Sequence, residues 1–492
     1  MEEIKQIDSE SKPEMKRSLG LYDATMMVAG SMIGSGIFIV SADMSRVVGS
    51  AGWLLFLWIL SGAITMMAAL CYGELAGMMP KAGGQFVYIE RAWGKFISFL
   101  YGWTVFTVIQ TGVIAAVAVA FAKFSAVFFP AVSPDNILFT IGSIKIAASQ
   151  MLAIALIVFL TYINSRGIQN GKMIQTIFTS AKLLALALLI ILGILIGLQH
   201  DTLFSNFSDM WNAQTTYKAM EGNWIVENIS GIALVLALGT AIIGSLFSSD
   251  AWNNITFIAG EVREPQKNIP RSLILGTGIV TVLYLLANVS YLSLLPLKGS
   301  AQATDIIGQG IQFAGAGTDR VGTAAASLIF GNVAVYIMAA LIMVSTFGCN
   351  NGIILAGGRV YYAMAKDGLF FKKAEQLNNN GVPAYAMWMQ AAWASVLCLS
   401  GTYGDLLDYT TFASLLFYIV TIAGIFILRR REPSAVRPYK VIGYPLMPIL
   451  YIVLALSICI ILLYTKTFNT GSGLLIVALG APVYFLAVKK KS

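Results

Sequence analysis

The sequence predicts an all-α polytopic membrane protein of twelve transmembrane helices, built as a five-plus-five inverted repeat with helices 1 and 6 broken, plus two C-terminal helices. Three observations lead there. Of the 492 residues, 57% are hydrophobic and 11% charged, a composition no soluble chain of this length carries. Apolar runs of spanning length recur near residues 19–47, 51–79, 96–129, 146–165, 173–199, 229–260, 271–296, 322–356, 384–400, 408–429, 444–465 and 471–488. The first and sixth runs are interrupted in their middles by small and polar residues.

The first interruption is GSMIGSGIF, Gly30–Phe38. Each glycine in a helix interior costs about 1 kcal/mol relative to alanine. Unpaired backbone groups in a bilayer cost far more unless they line a cavity or are buried in protein. A helix unwound at Ile33, Gly34 and Ser35 offers N–H groups at a positive dipole end to a carboxylate, and carbonyls to an ammonium. The alternative is close helix packing through small residues. The sixth run carries Gly239, Gly244, Ser245, Ser248, Ser249 and Asp250 in its middle. Interruptions heading two successive five-helix units predict an inverted repeat. The expected units are an N-terminal tail, 1–18; a first repeat, 19–200; a second repeat, 201–430, with an outer loop at 201–228; and helices 11 and 12 with a basic tail, 431–492.

Basic residues set the sidedness. Lys5, Lys12, Lys16 and Arg17 share one face with Lys81, Arg91 and Lys95, with Arg166 and Lys172, with Arg263, Lys267 and Arg271, with Arg359, Lys366, Lys372 and Lys373, with Arg429, Arg430, Arg431, Arg437 and Lys440, and with Lys489, Lys490 and Lys491. The opposite loops hold only Arg46, Lys123, Lys145, Lys218, Lys298, Arg320 and Lys466. Both termini are therefore expected in the cytoplasm, and the net charge of +8 needs no nucleic-acid partner. The polar first 18 residues predict no cleaved signal peptide. Cys71, Cys349, Cys398 and Cys459 are scattered through apolar runs and His200 is the only histidine, so no metal site, cofactor or catalytic constellation is expected. The stretch Met79–Lys95 predicts a short surface helix.

Single charges within the spans carry the chemistry. Lys182 lies about ten residues beyond Lys172, roughly 15 Å deep at 1.5 Å per residue, so it should face the protein interior with a partner. It reads as a tethered cation in place of a bound sodium ion, as a proton carrier, or as half of a structural ion pair. Asp250 reads as an acceptor for an ammonium or a cationic side chain, as a partner of Lys182, or as a helix cap. Phe247 and Trp252 flank the second interruption and read as gate or packing, with Asn253 supporting freed backbone. Glu74 reads as a salt bridge to inner basic residues, and Asp43 and Arg46 as a solvated helix end.

These stretches resemble the amino acid–polyamine–organocation superfamily and, within it, the L-amino acid transporter family. GSMIGSGIF is similar to its first broken helix, ALCYGELAGMMPKAGGQFVYI (Ala69–Ile89) to its second helix and following loop, and FTSAKLLAL (Phe178–Leu186) to its fifth-helix lysine. LFSSDAWNNITFIAGEVREPQKNIPRSL (Leu246–Leu273) resembles its sixth helix; FGCNNGIILAGGRVYYAMAKDG (Phe347–Gly368) and RRREPSAVRPYKV (Arg429–Val441) also match. The resemblance implies an α-amino acid permease of the plasma (inner) membrane, a sodium-independent exchanger, with a proton-coupled symporter as rival and a channel or sensor as readings from other classes. It implies that the substrate carboxylate meets N–H groups of Ser35, Gly36 and Ile37. Its ammonium meets carbonyls near Met32, Phe247, Ser248 and Asp250. It further implies Phe247 as the gate, Lys182 as the fixed charge, and Val108 and Ile109 lining the side-chain pocket. Two departures stand out. Ala251 replaces a frequent glycine, which predicts a less sharp turn. The loop FPAVSPDNILFTIGS lacks the cysteine that links animal members to a heavy subunit, so no disulfide-linked partner is expected and a bacterial-type stand-alone protein is.

Overall fold

Helix α1 (Leu21–Met32) takes in Gly30 and Ser31 and stops within the small-residue stretch. Ile33 turns extended, a 3-10 turn covers Gly36–Phe38, and α2 (Val40–Val48) resumes the crossing. These coordinates are a computed structural model that describes residues 15, 17–141, 144–315, 319–400 and 403–488. Most of the predicted N-terminal tail and the basic residues Lys489, Lys490 and Lys491 lie outside the described residues.

The chain continues through α3 (Ala51–Met78), α4 (Gln85–Trp93), and α5 (Lys95–Thr104), which a π-helical turn at Val105–Ile109 joins to α6 (Gln110–Ser125). Then come α7 (Ala148–Ser165), α8 (Ile168–Gly197), the short α9 (Thr202–Ser208), α10 (Gly231–Ser248), α11 (Asn254–Phe257) and α12 (Pro265–Leu294). They are followed by α13 (Ile306–Gln309), α14 (Val321–Phe330), α15 (Ala334–Lys366), α16 (Ala384–Ser400), α17 (Tyr403–Arg431), α18 (Leu446–Thr465) and α19 (Thr467–Val483). Among the described residues, ten helical stretches are long and apolar enough to cross a membrane; the shorter helix at Ala384–Leu399 and the interrupted first segment complete the twelve expected runs. The sixth is interrupted between α10 and α11, at Ser249 to Asn253; Gly239, Gly244, Ser245 and Ser248, expected in the interruption, lie within continuous helix α10 instead.

Two small antiparallel hairpins stand outside the helices: β1 (Ile137–Ile141) with β2 (Ile144–Ala147), and β3 (Gln214–Lys218) with β4 (Trp224–Asn228). The second gives the expected loop at 201–228 an ordered form, because backbone groups outside a helix need partners and a ladder supplies them.

The predicted surface helix forms as α4 with Arg91 and Trp93 exposed, but its other side is buried. Gly83 and Gly84 adopt positive φ (100° and 44°), and a Cβ on Gly84 would sit 2.3 Å from Thr256 Oγ1. The loop therefore presses against α11, with the Gly83 N–H donating to Phe257 O at 2.9 Å, and carries Gln85, Phe86, Tyr88 and Ile89 into the interior. Glycine at both positions is what permits the approach.

Small residues close the helix contacts. Cβ atoms on Gly193 and Gly197 of α8 would strike Ser290 and Ser293 of α12, and one on Gly276 of α12 would strike Val28 of α1. In lipid, where apolar burial drives little helix association, such close approach is the main source of attraction.

Charged residues cluster at the two ends. On the N-terminal side, Glu74 is buried and accepts from Arg429 (2.5 Å) and the Val441 N–H (2.7 Å), with Arg437 at 3.3 Å. There too, Leu19 lies beside Val262 in a parallel bridge, and Arg359 pairs with Glu261 at 2.9 Å with both side chains essentially fully buried. The exposed Arg91 bonds Glu432 and holds its carboxyl below the usual carboxylate range. At the far end Arg46 is not solvated: it grips Asp319 (2.7 Å) and Gln312 O (2.6 Å), while Asp43 stays exposed. The reason is that the loop before α14 folds back over the end of α2.

Arg359→Met strands the Glu261 carboxylate in the interior. It is expected to cost about 3–5 kcal/mol, as breaking buried pairs does. The check is a thermal melt of detergent-solubilised protein; an unchanged midpoint refutes the pair's structural weight.

Candidate functional site

The two interruptions meet. A Cβ on Gly36 would lie 2.2 Å from Ser248 Oγ and 3.3 Å from Ser248 Cα, so the backbone of the first break packs directly on the end of α10. Tyr284 of α12 bridges them, its hydroxyl 3.2 Å from Met32 O and 3.0 Å from Ser248 O. Those are carbonyls at the ends of α1 and α10, which a continuing helix would have satisfied.

The glycines of the first stretch divide the two readings between them. Gly30 serves packing, since a Cβ there would overlap Thr179 and Gln175 of α8. Beyond it the helix opens, and its carbonyls find side-chain donors. Lys182 Nζ donates to Gly30 O (2.6 Å), Ile33 O (2.7 Å) and, across on α15, Ser345 O (3.2 Å). Ser345 Oγ lies 3.1 Å from Ile33 O and 3.0 Å from Gly34 O, and Cys349 Sγ lies 2.9 Å from Ser31 O. Lys182 is buried, and among the described residues no carboxylate pairs with it. Its partners are three oxygen dipoles held 2.6–3.2 Å away, so the ammonium is solvated by backbone in place of water.

Asp250 points elsewhere, toward α17, where Tyr418 Oη donates to its carboxylate at 2.5 Å. Ala251 follows with φ +63°. The turn is therefore as tight as glycine would allow, against the expectation of a softer one, because a left-handed residue is needed to redirect the chain into α11. Trp252 is buried against Tyr72 (ring centroids 4.8 Å apart) and Tyr418 (5.4 Å), so it packs. Asn253 donates to Gln85 Oε1 at 3.0 Å. Phe247 packs beside the cluster of α6 and α15 side chains.

A small cavity of about 20 Å³ adjoins the second break, lined among others by Tyr101, Val105, Ile109, Gln110, Val113, Asp250, Asn253 and Ser414. A second, also of about 20 Å³, lies beyond Asp250 and is lined by Thr65, Ser249, Thr411 and Tyr451. Ile109 faces the first cavity; Val108 is buried off it. Met32, Ser35, Gly36 and Ile37 are buried where the breaks abut and do not line it. The 3-10 turn's own hydrogen bonds begin at the Phe38 N–H, so those of Gly36 and Ile37 stand ahead of its ladder. Sequence reasoning passed over Tyr284, Ser345, Cys349 and Gln85. Each is a single polar side chain in or beside an apolar run, and only its distant partner gives it meaning.

Comparison with known proteins adds the family. The amino acid permease profile matches residues 19–488. The serine/threonine exchanger SteT of Bacillus subtilis (strain 168) is 30% identical over 481 residues, covering 97% of this chain and 98% of the relative. The Asc-type amino acid transporter 1 of Mus musculus is 27% identical over 481 residues, 96% of this chain and 82% of its own. The large neutral amino acids transporter small subunit 2 of Homo sapiens is 28% identical over 487 residues, 96% and 81%.

Ala251→Gly should relieve the left-handed strain and raise stability by up to about 1 kcal/mol, offset in part by the freer unfolded chain. A lower melting midpoint than the parent would contradict this.

Proposed function

The chain belongs to the amino acid permease family, and from that premise we propose that it moves L-amino acids by alternating access as a sodium-independent exchanger. It is a multi-pass membrane protein and an amino acid permease, not an enzyme. The observation that carries the finer reading is the Lys182 tie. Its ammonium occupies carbonyls of the first break and of α15 that would suit a small cation, and so supplies without sodium the charge that holds the broken helix to the bundle.

In this reading the substrate carboxylate meets the N–H groups of Ser35, Gly36 and Ile37. Its ammonium meets carbonyls near Met32, Phe247, Ser248 and Asp250, and its side chain enters the cavity beside Ile109 and Asp250. Substrate would part the abutting Gly36 and Ser248, with Phe247 closing over it and Lys182 holding the first break. The two five-helix repeats, 19–200 and 201–430, rock about this point. The basic-residue asymmetry supports cytoplasmic termini in the plasma membrane. All four cysteines are buried and unpaired, which supports a protein that works without a disulfide-linked subunit.

Proteoliposomes test exchange directly. Uptake that requires internal amino acid supports it. Uptake driven by an imposed pH gradient favours proton symport, the reading that Lys182's lack of a carboxylate partner keeps in play. Lys182→Ala is expected to lower transport by at least tenfold, the weight of about 1.4 kcal/mol or more, while folded protein remains in the membrane. Normal turnover in that variant removes the lysine from the mechanism. Asp250→Asn is expected to depress uptake of lysine and arginine more than that of alanine, measured side by side; an equal loss assigns Asp250 a structural role.

A further inference from the structure

Gln85 opens α4 and is 1% exposed. Its Oε1 accepts from Tyr101 Oη on α5 and from Asn253 Nδ2 in the second break, both at 3.0 Å. Its Nε2 donates to Thr421 Oγ1 on α17 at 3.0 Å. Thr421 gives its own proton to Phe417 O (2.7 Å), so it can only accept from Gln85, which fixes the orientation of the amide. Gln85, Tyr101 and Asn253 also line the first cavity. One side chain thus ties three elements together at the cavity's edge on the N-terminal side, where the Glu261–Arg359 pair is also shut away from water.

We infer that Gln85 is a latch: a positioning residue that holds the break before α11 against α5 and α17 while the cavity is closed toward the N-terminal face, and that must release Asn253 in each cycle. The inference rests on the transport reading and deepens it. Asn253 belongs to an interrupted helix, whereas Tyr101 and Thr421 belong to long helices behind it, so the Asn253–Gln85 bond is the one that opening would break. Polar groups buried at 3.0 Å lose their partners if that bond opens without water, which couples release to hydration of this end.

Removing the latch should leave the carrier resting open toward the face that the proposed orientation puts in the cytoplasm. The apparent affinity from the other face then falls in proportion to the lost closed population. In proteoliposomes of the full chain, Gln85→Met is expected to raise the half-saturation concentration at the outer face about tenfold while leaving the inner one within about twofold. Gln85→Glu keeps the acceptor for Asn253 and Tyr101 and should recover most of the outer affinity. If the methionine variant does not fold, Thr421→Val, which removes one anchor, should show the same one-sided shift at smaller size. Half-saturation values that move equally at both faces, or not at all, overturn the latch, as does a glutamate variant no better than methionine. Wild-type liposomes that take up no amino acid instead overturn the transport reading itself.

Discussion

Backbone carbonyls in a membrane interior have no water to turn to, and the arrangement of this protein follows from how it supplies them. Where α1 stops at Met32, the released oxygens are met by a lysine ammonium, a serine hydroxyl, a thiol and a tyrosine hydroxyl. Each donor comes from a different helix or a different turn: α8, α15 and α12. The break is therefore also the point where these helices are pinned to one another. A continuous helix would need none of these residues.

The second break is held differently. Its donors and acceptors, Asp250 and Asn253, turn toward α17 and α4 and away from Lys182. The two breaks meet at the Gly36–Ser248 contact and at the Tyr284 hydroxyl. Such a junction is narrow and polar, with cavities to one side.

Some of this was legible beforehand. A glycine- and serine-rich stretch inside an apolar run announces a break through composition alone, and a lone lysine at mid-span must find a partner. The kind of partner was not legible: an ion pair and a set of carbonyls look alike in sequence. Val108 was set beside Ile109 on the pocket wall by the family resemblance, which says nothing of helix register. The π-helical turn at Val105–Ile109 alters that register. In an α-helix, residues four apart drift by about 40°. A wider turn rotates back, so Tyr101, Val105, Ile109 and Val113 form one row on the cavity. The Met79–Lys95 helix forms with one side exposed, and its burial on the other side was not legible because Gly83 and Gly84 admit the chain to the interior.

The sequence by itself determined what depends on local composition: the apolar runs, the two interruptions, the sidedness of charge and the depth of Lys182. Tertiary structure decided what depends on long-range pairing. Gln85 meets Thr421 across 336 positions and Asn253 across 168, and Lys182 meets Ser345 across 163. The physical reason is that a polar side chain in an apolar helix states a need without naming its answer. The answer comes from whichever helix the small residues allow close enough to give it.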